Sequence, residues 1–344
     1  MGNNMKQLLD DMVSRADLIP HHSYWMIRSD GGKSYQPFLR HGIVALRLPY
    51  ITHSYATYVS NMDVPAKMAL DEIKAHLETI SKDPLMLINE SVKELQNQTT
   101  RSTRASQLYA FSKVVAKGDI VLVPSEGTSH VSIGMIKENG LFVDDFINKT
   151  YPICRSVEWL NQIPRYRLDP GLTRALSAHQ AISNLSDYEE YIERSINSCF
   201  VKDDVCNYVL TLNSLDINAE KFFNLGSDVI SMLKLLNDQY QLGIDPGEIN
   251  LSMNLNSPGK IVFKSKAVAI AFLIMGLFSA CSDGRVGYEN NASVQGDSFM
   301  TIVDSIKNES YGDAQALKNR INQCLRSTEA LALEKWNEES LNSR

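Results

Sequence analysis

Cysteine is scarce and unpatterned in this chain of 344 residues: there are five, Cys154, Cys199, Cys206, Cys281 and Cys324, odd in number and scattered. No Cys-x-x-Cys pair occurs and no Cys/His spacing suits zinc, so neither a disulfide framework nor a zinc module is expected. Free, buried thiols in a reducing compartment follow. The seven histidines (His21, His22, His41, His53, His76, His130, His179) form neither HExxH nor HxH. A P-loop and a Gly-x-Ser-x-Gly elbow are both missing. Residues 1–15 lack the apolar run of a signal peptide, which predicts a cytoplasmic protein. Repeats and low-complexity segments are absent as well. No cofactor and no metal are predicted.

Excess positive charge is also lacking. The formal net charge is -6, which argues against a protein that coats nucleic acid by bulk electrostatics. Residues 1–195 carry 21 Lys+Arg and 22 Asp+Glu, whereas residues 196–344 carry 13 and 18. A local basic face therefore fits only the first part.

With 44% hydrophobic residues the chain can bury a large core and suits two domains. An amphipathic helix is expected over residues 4–18, with Met5, Leu8, Leu9 and Met12 on one side. Strand patterns follow at Tyr24–Arg28 and Ile43–Leu48, separated by the Gly31-Gly32 turn and a short helix at Tyr35–Arg40. Helices are expected at 65–80, 84–95 and 104–116, and a hairpin pairs Asp119–Pro124 with Val131–Ile136. A strand at Arg155–Leu160 and a short helix at 172–176 complete the first half.

Beyond a helix at 184–195 the pattern is mostly helical, with a long helix at 227–241. A period-two strand at Ile249–Leu255 turns back into Lys260–Lys264. Ala267–Cys281 then runs fifteen residues without a charge. Such a helix spans about 22 Å against roughly 30 Å of hydrocarbon, so it suits a buried helix better than a membrane span. Helices at 298–306 and 313–336 close the chain.

Three signatures stand in order: Trp25-x-x-Arg28 with Gly31-Gly32 and Phe38; Gly118-Asp119-x-Val121-x-Val123-Pro124 with Ile133-Gly134; and Arg155-x-Val157-x-Trp159-Leu160 with Ile163-Pro164-Arg165. Together they resemble the PUA/EVE-like amino-terminal domain that precedes the nuclease in some Mrr-type restriction proteins, over about residues 20–180. The second strand of that family usually ends in Gly-Trp; here Ala45-Leu46-Arg47-Leu48-Pro49 replaces it, so that aromatic is missing. The resemblance implies a PUA-like small β-barrel with inserted helices over residues 20–183; together with the patterns on either side, an α+β protein is expected, with residues 1–19 an N-terminal helix and residues 184–344 a mainly helical domain containing a β-hairpin and the apolar helix. The resemblance also implies recognition of nucleic acid, a modified base or a nucleotide, in a setting of prokaryotic anti-phage defence.

A base is held by stacking on an aromatic face, with polar groups at its edge. Tyr24, Trp25 and Trp159 offer faces, and Arg28 and Asp30 offer edge contacts. Arg101, Arg104, Lys113 and Lys117 offer contacts to phosphate, and Gly31 and Gly32 allow close approach of backbone to ligand. The same tryptophans suit a core equally, Arg28 suits a carboxylate partner, and Gly118-Asp119 suits a plain strand-entry turn.

A nuclease of the Mrr type needs an Asp on one strand and Glu/Gln-x-Lys on the next, and no such pair follows residue 190. The expectation is a non-catalytic sensor of a nucleic-acid or nucleotide ligand, working with an operon-encoded effector protein or as a homo-oligomer. The alternatives are a nuclease or other hydrolase whose site has no recognisable motif, and an effector that brings residues 267–281 to a membrane.

Overall fold

A computed structural model describes residues 2–144, 151–177, 180–214, 218–254, 259–282, 286 and 296–331. The chain divides into two compact units, His21–Glu189 and a second built from Met1–Pro20 together with Glu190–Arg344. Helix α1 (Gly2–Arg15) therefore belongs with the C-terminal segment. Its Met5, Leu9 and Met12 are buried in that unit's core, so the N-terminal helix is part of a domain rather than a separate segment.

The His21–Glu189 unit carries β1 (Tyr24–Ile27), α2 (Tyr35–His41), β2 (Ile43–Ala45), α3 (His53–Ser60), α4 (Ala66–Lys82), α5 (Glu90–Lys93), α6 (Gln98–Tyr109), β3 (Ile120–Pro124), β4 (His130–Ile136), β5 (Cys154–Pro164), α7 (Pro170–Ala175) and β6 (Ile182–Asn184). Its six strands form one mixed sheet in the order β2-β5-β4-β3-β1-β6, curled into a half-barrel. β1 lies parallel to β3 and antiparallel to β6. All four residues of β1 are buried, as expected for a strand covered on both faces.

Three local expectations need correction. β2 stops at Ala45, because the N–H of Leu48 turns back to the Leu46 carbonyl. The helix expected at 84–95 breaks into a 3-10 turn at Met86–Ile88, α5, and another 3-10 turn at Glu94–Gln96, because Asn89 leaves the helical conformation and caps α5. α6 starts six residues earlier than the expected Arg104, at Gln98, where the Asn97 side chain accepts the N–H groups of Thr99 and Thr100. It ends in a π-helical turn, Ala110–Val114.

The buried guanidinium of Arg155 explains that turn. Its Nε donates to the Phe111 carbonyl (2.8 Å) and its Nη2 to the Ser112 carbonyl (3.0 Å), carbonyls that a tighter α-helical ladder would not present together. Its Nη1 reaches the Asn139 carbonyl (3.0 Å). Burial pulls Arg155 down to about 10, and the nearby Asp119 carboxylate opposes that shift, so it stays charged at neutral pH.

The second unit continues with α8 (Glu189–Ile196), β7 (Cys199–Lys202), β8 (Val205–Leu212), α9 (Ala219–Tyr240), β9 (Asn250–Asn254), β10 (Gly259–Ser265), α10 (Val268–Cys281), α11 (Asp297–Asn308), α12 (Ala314–Ser327) and β11 (Ala330–Leu331). It is helical, but it holds an antiparallel five-stranded sheet where only one hairpin was expected. β7 and β8 were missed because their two-residue turn is Asp203-Asp204, both at positive φ (50° and 60°), without the usual glycine. The turn expected at 256–259 falls largely outside the described residues, and the helix expected at 313–336 ends instead at Ser327, after which the chain enters β11.

α10 is the centre of this core: Ile270 to Phe278 are all buried, against α11 and α12 among others. Gly276 permits the α10–α11 approach, since a Cβ there would stand 3.3 Å from Ile306 Cδ1 and 3.5 Å from Ile302 Cγ2. Among the described residues no helix is long and apolar enough to cross a membrane.

Candidate functional site

The turn after β1 has three consecutive residues at positive φ: Asp30 (54°), Gly31 (68°) and Gly32 (99°). Gly32 has no freedom to become anything else, because a Cβ would fall 2.2 Å from the Glu126 Cα and N. The close approach therefore involves the chain's own backbone rather than a ligand. Gly31 has open space, with nothing within 4 Å of its would-be Cβ. Although Gly-Gly-Lys-Ser follows a strand here, the loop is not a phosphate cradle. The N–H groups of Gly32, Lys33, Ser34 and Tyr35 all bond to carbonyls of the same turn.

This turn forms one wall of a cleft of about 620 Å³, within the usual range for small-molecule sites. Arg28 and Asp30 come from the end of β1, Arg47 and Tyr50 from the stretch after β2, Glu94 from the 3-10 turn, and Thr99 to Gln107 from the first turns of α6. Gln180 and Ala181 close it beside β6. A smaller cleft of about 390 Å³ shares Thr103, Gln107 and Gln180 and extends to Trp25 and Asn184. The two make one groove along α6. Most of its lining residues are polar or charged, with Ala110, Ala181 and Ile182 among the exceptions, which suits a ligand carrying polar or charged groups.

Three guanidiniums meet two carboxylates in the larger cleft. Arg47 Nη1 lies 2.8 Å from Asp30 Oδ1, and Arg104 Nη2 lies 3.3 Å from Glu94 Oε2. Arg104 Nη1 also donates to Gln107 Oε1 at 3.1 Å, and Arg28 Nη2 donates to the Leu176 carbonyl at 2.6 Å. The two ion pairs are solvent-accessible, so each is worth about 0–1 kcal/mol. Tyr50 is 6% exposed, and burial pushes its hydroxyl up to about 12, with Arg104 opposing and Glu94 adding to the shift. At neutral pH it is a neutral phenol.

The sequence-predicted residues divide between this groove and the core. Arg28, Asp30, Gly31 and Arg104 line the larger cleft, and Trp25 the smaller. Trp25 is nonetheless 6% exposed, and its Nε1 donates to Asp119 Oδ2 at 2.9 Å, so it is a fixed wall rather than an open platform. Tyr24 is buried with its ring edge-on to His22. Trp159 is buried in β5, where its ring would lie 2.8 Å from a Cβ at Gly134. β3 and β4 stand between β5 and β1, about 14 Å at ordinary strand spacing, so Trp25 and Trp159 cannot hold one base between them.

The four basic residues proposed for phosphate do not share a helix face. Arg101 caps the preceding turn, its Nη1 donating to the Leu95 (2.7 Å) and Gln96 (3.0 Å) carbonyls. Lys113 sits in the π turn, and Lys117 follows the extended Val115, past the helix end. Both are exposed, and neither lines the groove.

Sequence reasoning missed Arg47, Tyr50, Glu94, Gln107 and Gln180. The one available signal lay at Ala45–Pro49, where the chain departs from the Gly-Trp pattern and Arg47 instead enters the cleft. Among the described residues no group of three or more His, Cys, Asp or Glu is placed to hold a metal ion.

The molecule is thus a mixed α+β protein with a curled half-barrel sheet that carries a polar, arginine-lined groove. A family model described as Domain of unknown function (DUF8426) matches residues 76–184. That span covers the latter part of α4 through β6, including the α6 wall of the groove and Gln180, but not Arg28, Asp30 or Arg47. No curated protein and no solved structure matches the chain.

Proposed function

We propose that the His21–Glu189 unit is a PUA-like, non-catalytic ligand-reading domain that binds nucleic acid, a modified base or a nucleotide in the α6 groove. The observation that carries this reading is the convergence of Arg28, Arg47 and Arg104 with amide and hydroxyl side chains in one cleft of about 620 Å³. Guanidinium forks and side-chain amides are the groups that read phosphates and base edges. Ligand occupancy is reported through the Glu190–Arg344 unit or an operon-encoded effector, in anti-phage defence.

Fluorescence anisotropy with labelled single-stranded and duplex oligonucleotides and labelled nucleotides tests the reading. Binding weakened about tenfold or more by Arg28→Ala or Arg104→Ala, with unchanged thermal stability, supports it. Equal binding by wild type and both variants removes the groove as the site.

A further inference from the structure

We propose that the Arg47 end of the groove is a phosphate subsite, taking the phosphate ester of a nucleotide whose base lies toward Gln107 and Gln180. This rests on the reading of the groove as the ligand site and gives that site a direction.

Arginine, not lysine, supplies the positive charge lining this cleft. Its planar fork matches a phosphate in two-point contact. Arg47 is held by Asp30 in a solvent-accessible pair, and Arg104 by Glu94 in another. Such pairs are weak, so a phosphate with several acceptor oxygens displaces the carboxylates at little cost. The carboxylates keep the guanidiniums positioned while the site is empty of ligand.

Tyr50 is the independent observation. Its side chain is buried and lines the cleft, with the charges of Arg104 and Glu94 acting on its hydroxyl. Being protonated at neutral pH, it is a donor suited to an anionic oxygen. At the other end the chemistry changes. Gln107 and Gln180 line both parts of the groove, and Asn184 lies in the smaller one. Each amide carries both donor and acceptor, the pattern that complements a base edge.

Isothermal titration calorimetry of the full chain tests this, with the common ribonucleoside 5′-monophosphates, the matching nucleosides, inorganic phosphate, thymidine and a short oligothymidylate as probes. At least one monophosphate, or the oligothymidylate, is expected to bind roughly tenfold or more tightly than its nucleoside. Preference for the monophosphate identifies a free nucleotide's terminal phosphate; preference for the oligothymidylate identifies the phosphodiester of a strand. Arg47→Ala and Tyr50→Phe are each expected to remove most of that advantage while leaving nucleoside binding unchanged. Nucleosides binding as tightly as their phosphates overturn the subsite, as does a phosphate advantage that survives both variants, and in both cases the groove remains a ligand site. Binding of none of the probes overturns the underlying reading instead.

Discussion

Trp25 Nε1 donates to Asp119 Oδ2 at 2.9 Å, and that bond converts the most conspicuous aromatic of the first strand into part of the frame. Asp119 also accepts the Ser23 N–H on Oδ1 (2.9 Å) and the Ala116 N–H on Oδ2 (3.0 Å). One turn carboxylate thus ties together the entry of β1, its indole and the end of the π turn.

Asp119→Ala leaves those three donors in a site that is nearly closed to water, Asp119 itself being 6% exposed. The expected loss is about 3 kcal/mol, with Asp119→Asn losing less because one oxygen remains. Urea unfolding followed by tryptophan fluorescence measures it. A loss under about 0.5 kcal/mol contradicts the role given to this carboxylate.

The two glycines of the β1 turn should separate sharply. Gly31→Ala costs about 1 kcal/mol, the strain of a left-handed backbone in open space. Gly32→Ala forces a Cβ onto the Glu126 backbone at 2.2 Å and is expected to prevent stable folding of the His21–Glu189 unit. Thermal unfolding of the pair distinguishes them, and equal melting temperatures would contradict the turn geometry.

Alkaline titration reads the buried phenols. Seven of the fourteen tyrosines (Tyr35, Tyr50, Tyr55, Tyr58, Tyr151, Tyr208 and Tyr240) are held above the ordinary value of 10, Tyr50, Tyr55 and Tyr240 at about 12. Burial is the main cause in all but Tyr58, whose hydroxyl donates to Glu72. Because the folded values exceed the unfolded one, the associated stability is complete below pH 10 and is lost as pH rises toward 12. Tyrosinate absorbance of the folded protein is expected to keep rising well above pH 10, with part of the rise delayed toward pH 12 or until unfolding. A single transition near pH 10 in folded protein contradicts the burial.

α10 is expected to behave as a core helix. Gly276→Leu overpacks the crossing with α11 and should cost about 1–3 kcal/mol in urea unfolding. Wild-type protein should stay at the bottom of a liposome flotation gradient, with and without nucleotide. Flotation would return residues 267–281 to a membrane role.

Much of the fold was legible where periodicity was strong. The four apolar residues of β1, the β3–β4 hairpin around Glu126-Gly127 and the uncharged α10 all announce themselves locally. β7 and β8 did not, because Asp203-Asp204 achieves a hairpin turn without glycine. Arg155 was legible only as part of a strand motif. Its work, holding the Phe111 and Ser112 carbonyls of a π turn, depends on a segment far away in the chain. The groove was half visible for the same reason. Arg28, Asp30, Gly31 and Arg104 carry local signals, while Arg47, Tyr50, Glu94 and Gln180 meet only through sheet and helix packing. Tyr24 and Trp159 look identical in sequence whether they face solvent or core.

Hydrogen–deuterium exchange of the full chain, with and without saturating nucleotide or oligonucleotide, tests the central claim most directly. New protection is expected at 28–32 and across 99–107, the two walls of the groove, with little change around Trp159 in β5. Protection confined to other segments, under conditions where binding is demonstrated, would contradict it.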